Sequence, residues 1–226
     1  MYDTVIFEYE GTLCQRGCLA SALAKISESR QAYQIGQLIE RYLADFSRVG
    51  STSQPDWQLI WQVAFATYGQ SFDEQLGIEH LQRFVADNQL YDYTLPLLEV
   101  LQDQGLKTVL LANVVGCSEV YQQDLDKRGL TAHFDRVIWS SDIGYRKPNK
   151  QAFQIALNST GSHSSSTLFV SDKELTDIWG ASSLGMATML VTDQYQVSRF
   201  ADYVALKTNL MDEIKQATRF TKMIND

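Results

Sequence analysis

The second half of the chain alternates between strand-like and helix-like segments, and this alternation restricts the fold more than any other feature. Short apolar runs predict strands over 107–112, 136–139, 167–170 and 188–191. Amphipathic stretches predict helices over 97–104, 118–128, 148–157 and 175–184. Strands and helices in turn at this spacing indicate right-handed crossover units. We therefore expect an α/β fold with a doubly wound parallel sheet, in the manner of Rossmann-like proteins.

Three further elements are predicted near the ends of the chain. Residues 4–7 are a β-branched and aromatic run before a turn at Gly11 and Thr12, which is typical of a strand buried on both faces. Residues 203–205 predict a short edge strand, and residues 210–224 predict an amphipathic helix. We expect the first strand to join the same sheet as the later ones.

A long segment after the first strand has helical spacing only. Within residues 18–89 the apolar positions recur every three or four residues, so we expect several helices and no strands. Breaks are predicted at 50–56 and 69–73, with Asp56 and either Ser71 or Asp73 as N-caps. Structureless loops longer than about 15 residues are uncommon, so the segment should form a small helical bundle over the strand ends.

The expected domain organisation follows from this insertion. Residues 1–15 and 92–226 are predicted to form the α/β core, and residues 16–91 the inserted helical domain.

Composition and charge exclude several classes of protein. The 226 residues are 45% hydrophobic, as in a folded globule, and the net charge of −8 opposes binding to nucleic acid. We find no run of roughly 18 apolar residues that could span a membrane. The N-terminus carries no cationic region ahead of its apolar run, so we expect a cytoplasmic location. The oligomeric state is left open.

Polar side chains follow the predicted strands at their carboxyl ends, where ligands bind in open α/β sheets. They are Glu8, Glu10, Asn113, Lys147, Asp172 and Asp177. Four carboxylates that converge with a lysine are costly unless a cation or ligand compensates their charge. The pattern therefore predicts a site for Mg²⁺ and phosphate.

Three motifs and their order resemble the haloacid dehalogenase (HAD) superfamily. They are Val5-Ile6-Phe7-Glu8-Tyr9-Glu10-Gly11-Thr12-Leu13, Gly144-Tyr145-Arg146-Lys147-Pro148-Asn149 and Val170-Ser171-Asp172-Lys173-Glu174-Leu175-Thr176-Asp177-Ile178, followed by Gly180-Ala181 and Gly185-Met186. The resemblance implies a hydrolase of phosphatase-type ancestry, a helical cap, Mg²⁺ and a small phosphorylated metabolite as substrate or ligand.

The resemblance also implies roles for individual residues. Glu8 stands at the position of the nucleophilic aspartate, Glu10 at that of the general acid and base, and Lys147 at that of the phosphate-binding lysine. The residues implied at the substrate are Gly11, Thr12, Ala112, Asn113 and Lys147. The residues implied at the metal are Glu8, Glu10, Asp172 and Asp177.

Three of these positions depart from the family's pattern. Glutamates replace both aspartates, and Ala112 replaces the hydroxyl residue of the second strand. A displacement of about 1 Å can cost roughly a hundredfold in rate, and the loss of one preorganised donor costs at least about as much. We therefore expect weakened or lost catalysis. The alternative is an active Mg²⁺-dependent phosphohydrolase with Glu8 as nucleophile and Glu10 as general acid and base. A phosphorylated receiver domain would leave the helical insertion unexplained.

Lys173 directly follows Asp172 and complicates the metal prediction. One hypothesis is that its ammonium group takes the cation's position, pairs with Glu8 and replaces Mg²⁺. The alternative is a solvated lysine at the loop edge, which leaves the metal site free.

Overall fold

The computed structural model describes residues 2–48 and 51–223 and contains a six-stranded sheet in which all strands are parallel. The strand order is β5-β4-β1-β6-β7-β8. These strands are β1 (Thr4–Phe7), β4 (Lys107–Ala112), β5 (Arg136–Trp139), β6 (Thr167–Ser171), β7 (Ala187–Thr192) and β8 (Tyr203–Leu206). The predicted doubly wound sheet is confirmed, with the first strand at its centre.

Helices cover both faces of the sheet and connect its strands, except β7 and β8, which are joined by a loop. The helices of this part are α5 (Thr94–Asp103), α6 (Ser118–Lys127), α7 (Ser140–Ile143), α8 (Lys150–Thr160), α9 (Trp179–Ser182) and α10 (Leu210–Met223). A π-helical stretch, Glu174–Ile178, precedes α9. The predicted tail helix extends to residue 224, which lies outside the described residues.

The two faces of the sheet bury two separate apolar cores, because successive side chains of a strand point to opposite sides. In β1, Val5 and Phe7 belong to one core and Ile6 to the other. The strand is fully buried on both faces, and this explains its unbroken apolar sequence.

The described residues of the inserted segment form four helices, namely α1 (Leu19–Ile26), α2 (Ala32–Arg48), α3 (Trp57–Thr67) and α4 (Glu74–Ala86). Asp56 and Asp73 accept hydrogen bonds from the backbone N–H groups of Leu59 and Leu76, so both act as N-caps, as predicted. Helix α1 packs against α2 and α4, and α4 also contacts α6 of the α/β part. This last contact joins the helical segment to the α/β part. Gly50, the first residue of the predicted break at 50–56, lies outside the described residues.

A buried histidine ties three of these helices together. The Trp61 indole N–H donates to His80 Nδ1 at 3.0 Å, and His80 Nε2 lies 2.7 Å from the carbonyl oxygen of Leu19. Burial lowers the pKa of His80 to about 4, so the ring is neutral and Nε2 is its donor.

A short antiparallel ribbon at the junction was not predicted. It pairs β2 (Cys14–Gln15) with β3 (Gln89–Leu90). The expectation of no strand within residues 18–89 is therefore wrong at its last residue. Two-residue strands carry no periodic pattern, and the ribbon forms because the chain leaves and re-enters the α/β part at adjacent points.

No helix of the described ranges is both long enough and apolar enough to cross a membrane.

Candidate functional site

Three adjacent strands bring the candidate residues together at one edge of the sheet. β1 lies between β4 and β6, and Phe7 is in register with Leu110 on one side and Val170 on the other. The residues that follow these strands therefore share one edge, as the parallel topology predicts. Lys147 reaches the same edge from the loop between α7 and α8.

A buried ion cluster forms the centre of this edge. Lys147 Nζ lies 2.6 Å from Glu8 Oε2, 2.7 Å from Asp177 Oδ2 and 2.7 Å from the carbonyl oxygen of Leu111. All three side chains are at most 1% exposed. Because an ammonium group has three N–H donors, Lys147 is fully engaged by these three acceptors. The lysine is held between two carboxylates in a fixed position.

Asp177 is held by further donors of its own loop. The Ser171 hydroxyl donates to Asp177 Oδ2 at 2.8 Å, and the Thr176 hydroxyl donates to Oδ1 at 2.8 Å. Sequence reasoning missed Ser171 and Thr176, although both lie within the quoted acidic motif. With Lys147, these contacts make Asp177 a partner that positions the lysine.

Glu8 is engaged at both carboxylate oxygens. The N–H of Tyr9 donates to Oε1 at 2.9 Å, whereas Oε2 faces Lys147 and also Lys173, whose Nζ lies 3.4 Å away. Burial alone would raise the pKa of Glu8, but the two ammonium groups and the hydrogen bonds outweigh it and lower the pKa to about 2. Glu8 is therefore an ionised and tightly held carboxylate.

Asp172 packs against the turn after the first strand. A Cβ at Gly11 would lie only 2.0 Å from Asp172 Oδ2, and the φ of Gly11 is +89°, so only glycine fits this position. The Thr12 hydroxyl donates to Asp172 Oδ1 at 3.4 Å and accepts the Asp172 N–H at 3.1 Å. Burial, and then the nearby charges of Glu8 and Asp177, raise the pKa of Asp172 to about 6 against the opposing effect of Lys173. Gly11 and Thr12 therefore support Asp172.

Asn113 and Ala112 lie at the end of β4. The Asn113 side chain donates to the Lys147 carbonyl at 3.0 Å and accepts the Lys147 N–H at 2.9 Å, which fixes the lysine loop on the sheet edge. Ala112 is 2% exposed and has no side-chain donor. The hydroxyl that the family pattern expects is therefore missing at the end of β4.

Glu10 lies apart from the ion cluster. Its Oε2 pairs with Arg16 Nε at 3.0 Å, and its Oε1 has no hydrogen-bond partner among the described residues. Arg16 also stacks on the ring of Phe84, 4.8 Å from the ring centre. Sequence reasoning missed Arg16, because nothing near it in the sequence indicates that its loop folds back onto Glu10.

A cavity of about 300 Å³ opens between helix α2 and the sheet edge. Its lining residues are Glu10, Arg16, Glu40, Leu43, Ala44, Ser47, Asn113, Val115, Arg146, Lys173 and Thr176. Glu8 is not among the described residues that line the cavity. Lys173 lies at the cavity wall and contacts Glu8 behind it. The ammonium group of Lys173 therefore lies between the cavity and the ion cluster.

Arg146 links the two sides of this cavity. Its guanidinium donates to the Val114 carbonyl at 2.6 Å and to Gln54 Oε1 at 3.2 Å, and its N–H donates to the Thr52 carbonyl at 3.0 Å. Residues 51–56 join α2 to α3, so these bonds tie the helical segment to the lysine loop. Arg146 was also missed, although it precedes Lys147 in the quoted motif.

The donor set as it stands does not fit a resident Mg²⁺, because two lysines already contact Glu8. Within residues 2–48 and 51–223, no three Asp, Glu, His or Cys side chains are placed to share one metal ion. Three of the four carboxylates expected to do so already pair with cations, namely Glu8 with two lysines, Asp177 with Lys147 and Glu10 with Arg16. The fourth, Asp172, accepts a hydrogen bond from the Thr12 hydroxyl. Metal binding by Glu8, Glu10, Asp172 and Asp177 stays a prediction that this geometry does not support.

Sequence relatives include several phosphatases. The chain is 23% identical to the ribulose-1,5-bisphosphate 5-phosphatase of Halopiger xanaduensis over the full length of both proteins. It is 29% identical to the glyceraldehyde 3-phosphate phosphatase of Methanothermobacter thermautotrophicus over 119 residues, which cover 51% of each chain.

Solved structures share the fold over nearly the whole chain. The L-2-haloacid dehalogenase of Xanthobacter autotrophicus has a TM-score of 0.73 at 19% identity, covering 95% of this chain and 99% of its own. A magnesium-bound HAD-hydrolase of Bacillus subtilis, YfnB, has a TM-score of 0.72 at 21% identity, covering 96% and 98%. The haloacid dehalogenase-like hydrolase family itself matches residues 2–185. With the sheet order and the lysine and acidic motifs in place, the chain belongs to the haloacid dehalogenase-like hydrolase family.

Proposed function

We propose that the protein binds a small phosphorylated metabolite in the cavity under helix α2 and that its phosphatase turnover is weak or lost. The observation that carries this proposal is the state of Glu8, the residue at the nucleophile's position. Its side chain is 1% exposed, and three donors contact its two oxygens. The Tyr9 N–H and the Lys147 ammonium group each take one lone-pair position, and burial together with the ammonium group of Lys173 hinders attack on phosphorus through the others.

The chemistry of the cavity supports an anionic ligand. Arg16, Arg146 and Lys173 contribute positive charge to its wall, and Asn113 contributes an amide. Glu10 pairs with Arg16, and Glu40 accepts the N–H of Leu19 at 2.8 Å, so three cationic and two anionic side chains leave the wall with one net positive charge. The volume of about 300 Å³ lies at the lower end of the range for small-molecule sites. These features favour a compact phosphate ester, such as a sugar phosphate or a nucleoside monophosphate.

Catalysis is weakened in this proposal by the three substituted positions. The longer side chains of Glu8 and Glu10 displace the reacting oxygens, and Ala112 cannot hold a phosphoryl oxygen. Each of these defects costs on the order of a hundredfold in rate when the geometry is otherwise kept. Lys147 remains in place, but its three donors are engaged within the protein.

One observation favours the alternative, an active phosphohydrolase with Glu8 as nucleophile and Glu10 as general acid and base. Glu10 lines the cavity, and its Oε1 has no partner among the described residues, so a ligand could share a proton with it.

The domain limits belong to this proposal as well. Residues 16–91 would act as a cap that closes the cavity against water, and residues 1–15 and 92–226 as the core. A cytoplasmic location stays a prediction of the sequence.

Binding is tested by calorimetry with a panel of sugar phosphates and nucleoside monophosphates in the presence of EDTA. We expect at least one ligand to bind, and Arg16→Gln to weaken its binding by roughly tenfold, because Glu10 then loses its counter-charge. The matched control is Arg30→Gln, which removes the same charge at an exposed position away from the cavity. No binding across the panel, or equal effects of the two variants, would contradict the proposal.

Turnover is tested with the same panel in Mg²⁺. We expect little or no phosphate release from the wild type and a gain in Glu8→Asp combined with Glu10→Asp and Ala112→Thr. Wild-type turnover that Glu8→Gln abolishes would establish the active alternative instead.

A further inference from the structure

Lys173 lies between the cavity and the buried ion cluster. Its backbone N–H donates to Ser171 Oγ at 3.1 Å, which fixes the residue at the carboxyl end of β6. Its side chain is 38% exposed and lines the cavity, and its Nζ lies 3.4 Å from Glu8 Oε2. The ammonium group therefore faces the buried carboxylate and the cavity at once.

We propose that the Lys173 ammonium group is the resident cation of this site and keeps divalent metal ions out of it. Glu8 Oε2 accepts a hydrogen bond from the Lys147 ammonium group at 2.6 Å and forms an ion pair with the Lys173 ammonium group at 3.4 Å. A metal ion on this oxygen at about 2.0–2.1 Å would have to displace one of them.

The two lysines differ in how easily they can be displaced. Lys147 is buried and donates to Glu8, Asp177 and the carbonyl of Leu111, so moving it breaks three contacts. Lys173 has a partly exposed side chain and reaches Glu8 at the longer distance of 3.4 Å. An incoming cation would therefore compete for Glu8 with Lys173 rather than with Lys147.

Removal of Lys173 should open a place for a divalent cation. Without Lys173, Glu8 Oε2 would lose the ammonium group that now lies 3.4 Å away on the cavity side. Asp172 lies near Glu8, because the two residues follow the adjacent parallel strands β1 and β6. Mg²⁺ usually keeps several waters and needs only one or two carboxylates from the protein. Two carboxylates without the competing ammonium group therefore meet its minimum requirement.

The test is a calorimetric titration with MgCl₂ of the wild-type chain, Lys173→Ser and Lys127→Ser, all without phosphorylated ligand. Lys127 is exposed on α6, so its replacement changes the net charge equally at a distance from the site. We expect Lys173→Ser to bind Mg²⁺ at least about tenfold more tightly than the wild type, and Lys127→Ser to match the wild type.

A second variant keeps the test decisive if Lys173→Ser folds poorly. Lys173→Gln keeps most of the side-chain volume, and its melting temperature should rise with added Mg²⁺ while that of the wild type stays constant. Tight Mg²⁺ binding by the wild type, or no gain in either variant, would overturn the proposal. Because no phosphorylated ligand is present, this result is independent of the proposed binding function.

Discussion

Glu8 and Glu10 are two residues apart, yet they lie in opposite environments. Glu8 is 1% exposed, and its oxygens receive a backbone N–H and face two ammonium groups. The Glu10 side chain is 15% exposed, and only one of its oxygens is paired, with an arginine that is itself 44% exposed. The Glu8 carboxylate is therefore buried in the protein interior, whereas the Glu10 carboxylate faces the cavity.

This difference separates the structural and the reactive parts of the family's site. The cluster of Glu8, Lys147 and Asp177 needs no ligand for charge balance, because Lys173 supplies the second positive charge for the two carboxylates. Glu10 lines the cavity, and its Oε1 has no hydrogen-bond partner among the described residues. The motifs that identify the family therefore keep mainly the residues that contact one another inside the protein. This comparison makes three predictions on stability.

The largest effect is expected for Lys147→Met. The substitution keeps the volume but leaves Glu8 and Asp177 buried without their shared cation. Breaking a buried ion pair by removing one partner costs about 3–5 kcal/mol, so the free energy of unfolding in urea should fall by this amount. Lys150→Met, at an exposed position, is the control and should change it by less than about 0.5 kcal/mol. Equal effects of both variants would show that the cluster contributes no stability.

The second prediction concerns Glu8→Gln and pH. The pKa of Glu8 is lowered to about 2 in the folded protein, below its ordinary value of 4.5, so folding stabilises the ionised form. This contribution is present above pH 4.5 and is lost as the pH falls toward 2.

Glu8→Gln should therefore reduce the free energy of unfolding at neutral pH by about 1–3 kcal/mol and flatten its decline in acid. The measurement is urea unfolding at a series of pH values, with Glu10→Gln as the control that keeps the wild-type slope. A wild-type slope in Glu8→Gln would contradict the assigned environment of Glu8.

Sequence reasoning located the edge of the site well because that edge depends on strand ends. The limits of β4 and β5 follow from apolar runs, and parallel topology then places Glu8 and Asp172 side by side. It could not show that Asp177 and Glu8 would share Lys147, nor that Arg16 would fold back onto Glu10. These pairings depend on side-chain directions in three dimensions, which have no periodic signal in the chain.

The smallest effect is expected for Glu10→Gln, and it tests the comparison most directly. The ion pair with Arg16 is partly exposed to water, and pairs of this kind contribute at most about 1 kcal/mol. A glutamine can still accept from the Arg16 guanidinium, and its amide introduces no buried charge. The free energy of unfolding should therefore change by less than about 1 kcal/mol, whereas the same chemical change at Glu8 costs more. If urea unfolding gave equal losses for Glu8→Gln and Glu10→Gln, burial would not be what distinguishes the two glutamates.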